Sequence, residues 1–286
     1  MYKALNYWVF GGFDGVKTPY EFIDFAVAND LEGVELTVGD ALPVDISEAE
    51  CRKIADYAKA KGVQLKTLAT GCYGAMSLGA ADESERRQAI EFTKKYLQIA
   101  KNLGVGTILV IPGSTQVAWA PERPIVDYTT AWEKSTASLR ELLIEAEKLG
   151  VVIALENVWT RFLFSPMEWK IFLDQFNSDF IGMYFDVGNC ALYCKGVDYI
   201  RALGKRIKAV HLKNFKGQDC GGTLLGFGDD LFDGDVDYPA LFAAFAEVGY
   251  TGPFTVEMIP FSRLPDLVLP DQALAEKMAK QIHQLP

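Results

Sequence analysis

Residues 145–157 read EAEKLGVVIALEN. The string leaves a helix-like stretch through Gly150, runs along five apolar residues and stops on a carboxylate, Glu156. A glycine in that place can take the left-handed conformation that closes helices. The unbroken apolar run after it suits a strand covered on both faces. The same punctuation recurs at Lys61-Gly62-Val63 and Leu103-Gly104-Val105. Helix, glycine, strand is therefore a repeated unit.

Working outward, strand-like runs fall at 4–10, 33–38, 63–69, 105–111, 151–156, 180–186, 207–212 and 253–258. Helical patterns lie at 19–29, 47–61, 82–103, 127–149, 165–176, 197–203, 238–248 and 271–283. Thr18 before Pro19 reads as an N-cap, and Ser47 with Glu50 as a capping box. Eight alternating β/α units predict an α/β fold, a single (β/α)8 TIM barrel forming one domain over 1–286. An open doubly wound sheet is the alternative, but no GxGxxG follows the first run.

Composition limits the partners. Half of the 286 residues are hydrophobic, which excludes disorder and collagen-like repeats. No apolar run approaches the roughly 20 residues of a membrane span, and residues 1–10 lack a signal-peptide pattern. The expectation is an untargeted cytoplasmic protein. A net charge of −10 argues against nucleic acid as a partner. The five cysteines show no zinc-ribbon or CxxC spacing and read as reduced thiols.

The chemistry sits where strands end. The last four runs close as ALEN, YFDVGN, VHLKN and TVEM, each offering one ligand: Glu156, Asp186, His211 and Glu257. Any one alone reads as a solvated rim residue or a hydrogen-bonded histidine. Four consecutive strands ending this way, one of them with half of the chain's two histidines, point to a divalent metal site. Three carboxylates and an imidazole suit Mn²⁺ best, with Mg²⁺, Co²⁺ or Zn²⁺ compatible.

On these residues the chain resembles the xylose isomerase-like TIM barrel superfamily, in its sugar (phosphate) isomerase/epimerase branch, from GVELT at 33–37 to the final helix. The resemblance implies that Glu156 and Glu257 both bind metal and serve as the acid/base pair. It implies a carbohydrate epimerase acting at C3 of a ketose through a metal-stabilised enediolate, one carboxylate on each face. A ketose/aldose or hydroxypyruvate-type isomerase, an inosose dehydratase and a sugar-binding barrel without turnover are the alternatives. Apurinic endonucleases of the superfamily need more histidines than two.

Two departures bear on substrate. Ketohexose 3-epimerases of this kind carry a histidine three residues after the metal aspartate and an arginine after the metal histidine. Here those places hold Asn189 and the run HLKNFK. The pattern is more similar to the sugar-phosphate branch, which makes Asn189 and Lys213 expected substrate ligands. Residues 221–228, with Lys213 or Lys216, are the expected cradle for a terminal phosphate. The net charge and the lack of arginine between His211 and Glu257 stand against it. Glu35 and Arg161 are weaker candidates, for orienting substrate or a neighbouring ligand and for meeting a polar substrate end. Trp8, Trp119 and Trp159 are candidate pocket walls. A small sugar or sugar phosphate is the expected partner, with a homo-oligomer, dimer or tetramer, left open.

Overall fold

The computed structural model describes residues 2–220, 222–263, 266, 268 and 271–286. Strands β1 (Lys3–Asn6), β2 (Gly33–Val38), β3 (Thr67–Thr70), β4 (Thr107–Val110), β5 (Val152–Glu156), β6 (Ile181–Asp186), β7 (Ile207–Leu212) and β8 (Phe254–Val256) pair in sequence order, all parallel. Lys3 and Ala4 pair with Phe254 and Thr255, so β8 returns to β1 and the barrel closes. The main helices are α1 (Tyr7–Gly11), α2 (Pro19–Ala28), α3 (Glu48–Lys61), α4 (Glu83–Leu103), α5 (Tyr128–Leu149), α6 (Pro166–Asp174), α7 (Gly196–Leu203), α8 (Gly217–Cys220), α9 (Tyr238–Glu247) and α10 (Gln272–Ile282). The (β/α)8 expectation holds.

The glycine punctuation works as local chemistry requires. Gly62, Gly104 and Gly150 end α3, α4 and α5 with φ of 76°, 73° and 70°. After Gly150, the Val151 N–H returns 3.0 Å to Ala146 O, satisfying a carbonyl at the helix end before β5 begins. Thr18 and Ser165 form full capping boxes with Glu21 and Glu168. Ser47 does so only by half: it accepts from Glu50 N–H, while the Glu50 carboxylate bonds Tyr20 and Lys53 instead.

Two strands differ from expectation. The run 4–10 splits, because Asn6 Oδ1 accepts from Trp8 N–H at 2.8 Å and starts α1. An apolar run buried on every side carries no period that separates strand from helix. The third strand starts at Thr67, not 63: Val63 N–H still bonds back to Ala58 in the α3 cap, and Gln64 makes only a lone bridge to Gly33. Among the described residues no helix is long and apolar enough to cross a membrane.

Candidate active site and metal centre

The ladder between strands sets the site. Asp186 stands opposite His211 in the β6–β7 register, and Glu156 ends β5 opposite Tyr184. Glu257 follows β8 directly, its N–H bonding Leu212 O at 3.0 Å. One ligand atom from each of Glu156, Asp186, His211 and Glu257 lies within 4.8 Å of the others, and all four side chains are buried. His211 Nδ1 faces all three carboxylates: 2.9 Å to Glu156 Oε1, 3.6 Å to Glu257 Oε2 and 4.0 Å to Asp186 Oδ2. The four expected ligands converge.

Short hydrogen bonds hold them. Asp186 Oδ1 accepts from the N–H groups of Gly188 and Asn189 at 2.9 and 2.8 Å, so the DVGN turn fixes its carboxylate. Asn157, beside Glu156, accepts from Asp186 N–H and donates to Asp186 O, both at 2.8 Å. Asn189 donates its amide to Asn157 O at 2.9 Å, which locks the ends of β5 and β6 together. Tyr184 packs against the His211 ring at 4.3 Å between centroids and donates to Glu35 Oε2. Asn157 and Tyr184 are not among the residues that the strand endings single out. The LEN motif carried a signal for the first, whereas a buried strand tyrosine carries none.

Charge is the dominant energetic problem here. Burial, and then Glu257 and Asp186, push the Glu156 carboxyl up to about 7, although the His211 hydrogen bond pulls it down. Burial also raises Asp186, against the pull of Lys213. For His211 burial acts downward, yet Glu35, Glu257 and Glu156 together hold the imidazole well above its usual range. Lys213 Nζ lies 3.0 Å from Asp186 Oδ2 and also contacts Glu257 Oε2. Among the described residues these two oxygens are nonetheless buried without a well-aligned hydrogen bond. A hard, oxygen-rich donor set with two such oxygens fits a divalent cation.

A cavity of about 490 Å³ opens over this floor, reached by Glu156, Asn189, Lys213 and Glu257. Trp8 and Trp119 line it; Trp159 lines neighbouring crevices and donates to Asn189 O. Gly188 admits the Lys213 stem, since a Cβ there would stand 2.3 Å from Lys213 Cγ. Arg161 is exposed and lines the neighbouring crevices, apart from the main cavity. Glu35 is fully buried behind His211, bonding Nε2 at 2.7 Å. It holds the His211 ring from behind and does not reach the cavity. Lys216 pairs with Asp233 at 3.1 Å, and Gly221 of the expected phosphate cradle lies outside the described residues.

Residues 23–281 match the family described as xylose isomerase-like TIM barrel. The chain belongs to that family. A curated relative, the putative L-ribulose-5-phosphate 3-epimerase SgbU of Escherichia coli K12, is 27% identical over 208 residues, 69% of this chain and 67% of that one. The L-ribulose-5-phosphate 3-epimerase UlaE of Salmonella paratyphi C is 25% identical over 202 residues, covering 69% and 65%. A D-psicose 3-epimerase from Clostridium cellulolyticum H10 superposes with a TM-score of 0.80 over 99% of this chain and 97% of its own, at 16% identity. At that identity the likeness is one of fold. Within the family fold, the convergent carboxylates are what this chain itself contributes to a functional reading.

Proposed function

We propose that the protein is an isomerase, a metal-dependent epimerase acting at C3 of a ketose-type sugar. The observation that carries the reading is the pair Glu156 and Glu257, which come from strands on either side of His211 and both reach the cavity floor. The names of the relatives, 3-epimerases of ribulose 5-phosphate, support the same chemistry.

The hydrogen on a carbon beside a ketone is weakly acidic, so its removal needs a base in place and stabilisation of the charge left behind. Glu156, Asp186, His211 and Glu257 would hold the cation, Mn²⁺ by preference, and when bound it supplies Lewis-acid polarisation of the adjacent carbonyl and hydroxyl oxygens. Glu156 or Glu257 takes the C3 proton on one carboxylate oxygen. The other returns a proton to the opposite face, which inverts the carbon. A positioned carboxylate is worth about 10²–10⁴ in rate. Asn157 and Asn189 keep the two strand ends, and hence Glu156 and Asp186, in fixed relation.

Incubation of ketoses and ketose phosphates with Mn²⁺-loaded protein in D₂O tests this. Deuterium at C3 with inversion is the expected result. Deuterium at C1 would make it an aldose–ketose isomerase, loss of water a dehydratase, and no exchange with any substrate would remove the catalytic reading.

A further inference from the structure

The cavity is far less polar in its walls than at its floor. Trp8, Phe13, Trp119, Phe227 and Phe261 line it, carried by segments that follow β1, β4, β7 and β8. The Trp8 and Phe13 rings lie 5.5 Å apart, and those of Phe227 and Phe261 6.3 Å. Phe13 and Trp119 are 50% and 38% exposed, so large rings stand where water wets them. Single exposed apolar residues need no explanation, but five aromatic rings around one opening do.

Positive charge is missing from those walls. Among the described residues that line the cavity, Lys213 is the one cation, and Asp186 and Glu257 already hold its ammonium. Arg123 is turned to the carbonyls of Tyr73 and Gly74 and to Glu85. A phosphate dianion here would meet aromatic walls and like-charged carboxylates, an expensive burial without a partner. Size points the same way. About 490 Å³ lies within the roughly 300–1,000 Å³ of sites that take drug-sized ligands, so there is room for a sugar with a ring attached.

We propose that the site takes an uncharged ketose whose terminal carbon carries a ring, either a second sugar unit or an aromatic group. This rests on the reading of Glu156 and Glu257 as the reacting end. The ring belongs at the far end, because a group on the anomeric oxygen would lock the carbonyl as an acetal and stop the chemistry. Sugar and aromatic rings share flat C–H or π faces that pack on indole and phenyl surfaces.

The test is calorimetric binding to the Mn²⁺-loaded protein of a ketohexose and of its 6-O-methyl, 6-O-benzyl, 6-O-glucosyl and 6-phosphate forms. At least one ring-bearing form is expected to bind ten times or more tighter than the methyl ether, about 1.4 kcal/mol, and the better of the two identifies the ring. The phosphate is expected to bind no tighter than the free sugar. Trp119→Ala and Phe13→Ala, tested separately, should each reduce the ring's advantage to under threefold. Both rings falling within tenfold of the methyl ether, a tighter phosphate, or an advantage untouched in both variants overturns the proposal. Deuterium exchange at C3 is scored independently. Ring preference without exchange defeats the epimerase reading alone, and exchange without ring preference defeats this one alone.

Discussion

Glu35 Oε1 sits 2.7 Å from His211 Nε2, and neither side chain is exposed to solvent. The contact leaves Nδ1 as the nitrogen facing the three carboxylates. Asn6 donates to the same Glu35 oxygen at 2.8 Å and Tyr184 to the other, so the carboxylate is itself held. Such a partner fixes the tautomer and raises the basicity of a metal-binding imidazole, typically by an amount worth 10–100-fold in affinity. Glu35→Gln should therefore weaken Mn²⁺ binding by about that factor in a chelator-competition titration. Unchanged affinity would mean that Glu35 does no more than fill space.

Binding of an ion to the folded chain alone should also stabilise it. At a free Mn²⁺ concentration one hundred times Kd the gain is about 2.7 kcal/mol, enough to raise Tm by several degrees. Scanning calorimetry with Mn²⁺ and with excess chelator should show that rise, and chelation should abolish exchange of the C3 hydrogen. His211→Ala should remove the shift. A parent protein with the same Tm and full turnover in chelator would contradict a metal centre.

The two glutamates differ from Asp186 and His211, the other candidate ligands, in also lining the cavity. Glu156→Gln and Glu257→Gln keep a ligating oxygen but cannot take up a proton at neutral pH. Each should lower kcat by about 10²–10⁴ while an unreactive ketose analogue still binds. With metal content confirmed, either variant within tenfold of the parent would rule out a two-carboxylate mechanism.

Much of this was written locally. The stops at Gly62, Gly104 and Gly150 depend on a backbone conformation that glycine adopts without strain, so they survive whatever packs around them. The four candidate ligands close consecutive strands, and parallel registry then brings them together. The split of residues 4–10 was hidden, because Tyr7, Trp8, Val9 and Phe10 are buried as a helix just as they would be as a strand. Only the Asn6 cap decides, and it decides where Trp8 stands in the cavity wall. The fate of Lys213 was hidden for another reason. Its place two residues after His211 gives a side of the barrel, but not that Asp186 and Glu257, from two other strands, would claim its charge.

That claim has a measurable consequence. Without a cation, Glu156, Asp186 and Glu257 share one buried space, and the Lys213 ammonium offsets part of their repulsion. Removing one partner of a buried ion pair costs about 3–5 kcal/mol, because the other is left buried and uncompensated. With a divalent ion bound, the same carboxylates have a second source of positive charge, so the loss should be smaller. Lys213→Met keeps most of the stem that packs over Gly188 and removes only the charge. Its Tm should fall further below the parent's in chelator than in Mn²⁺, and by the same thermodynamic cycle its Mn²⁺ affinity should rise. Equal losses in the two conditions would show that the lysine and the metal do not share the same carboxylates.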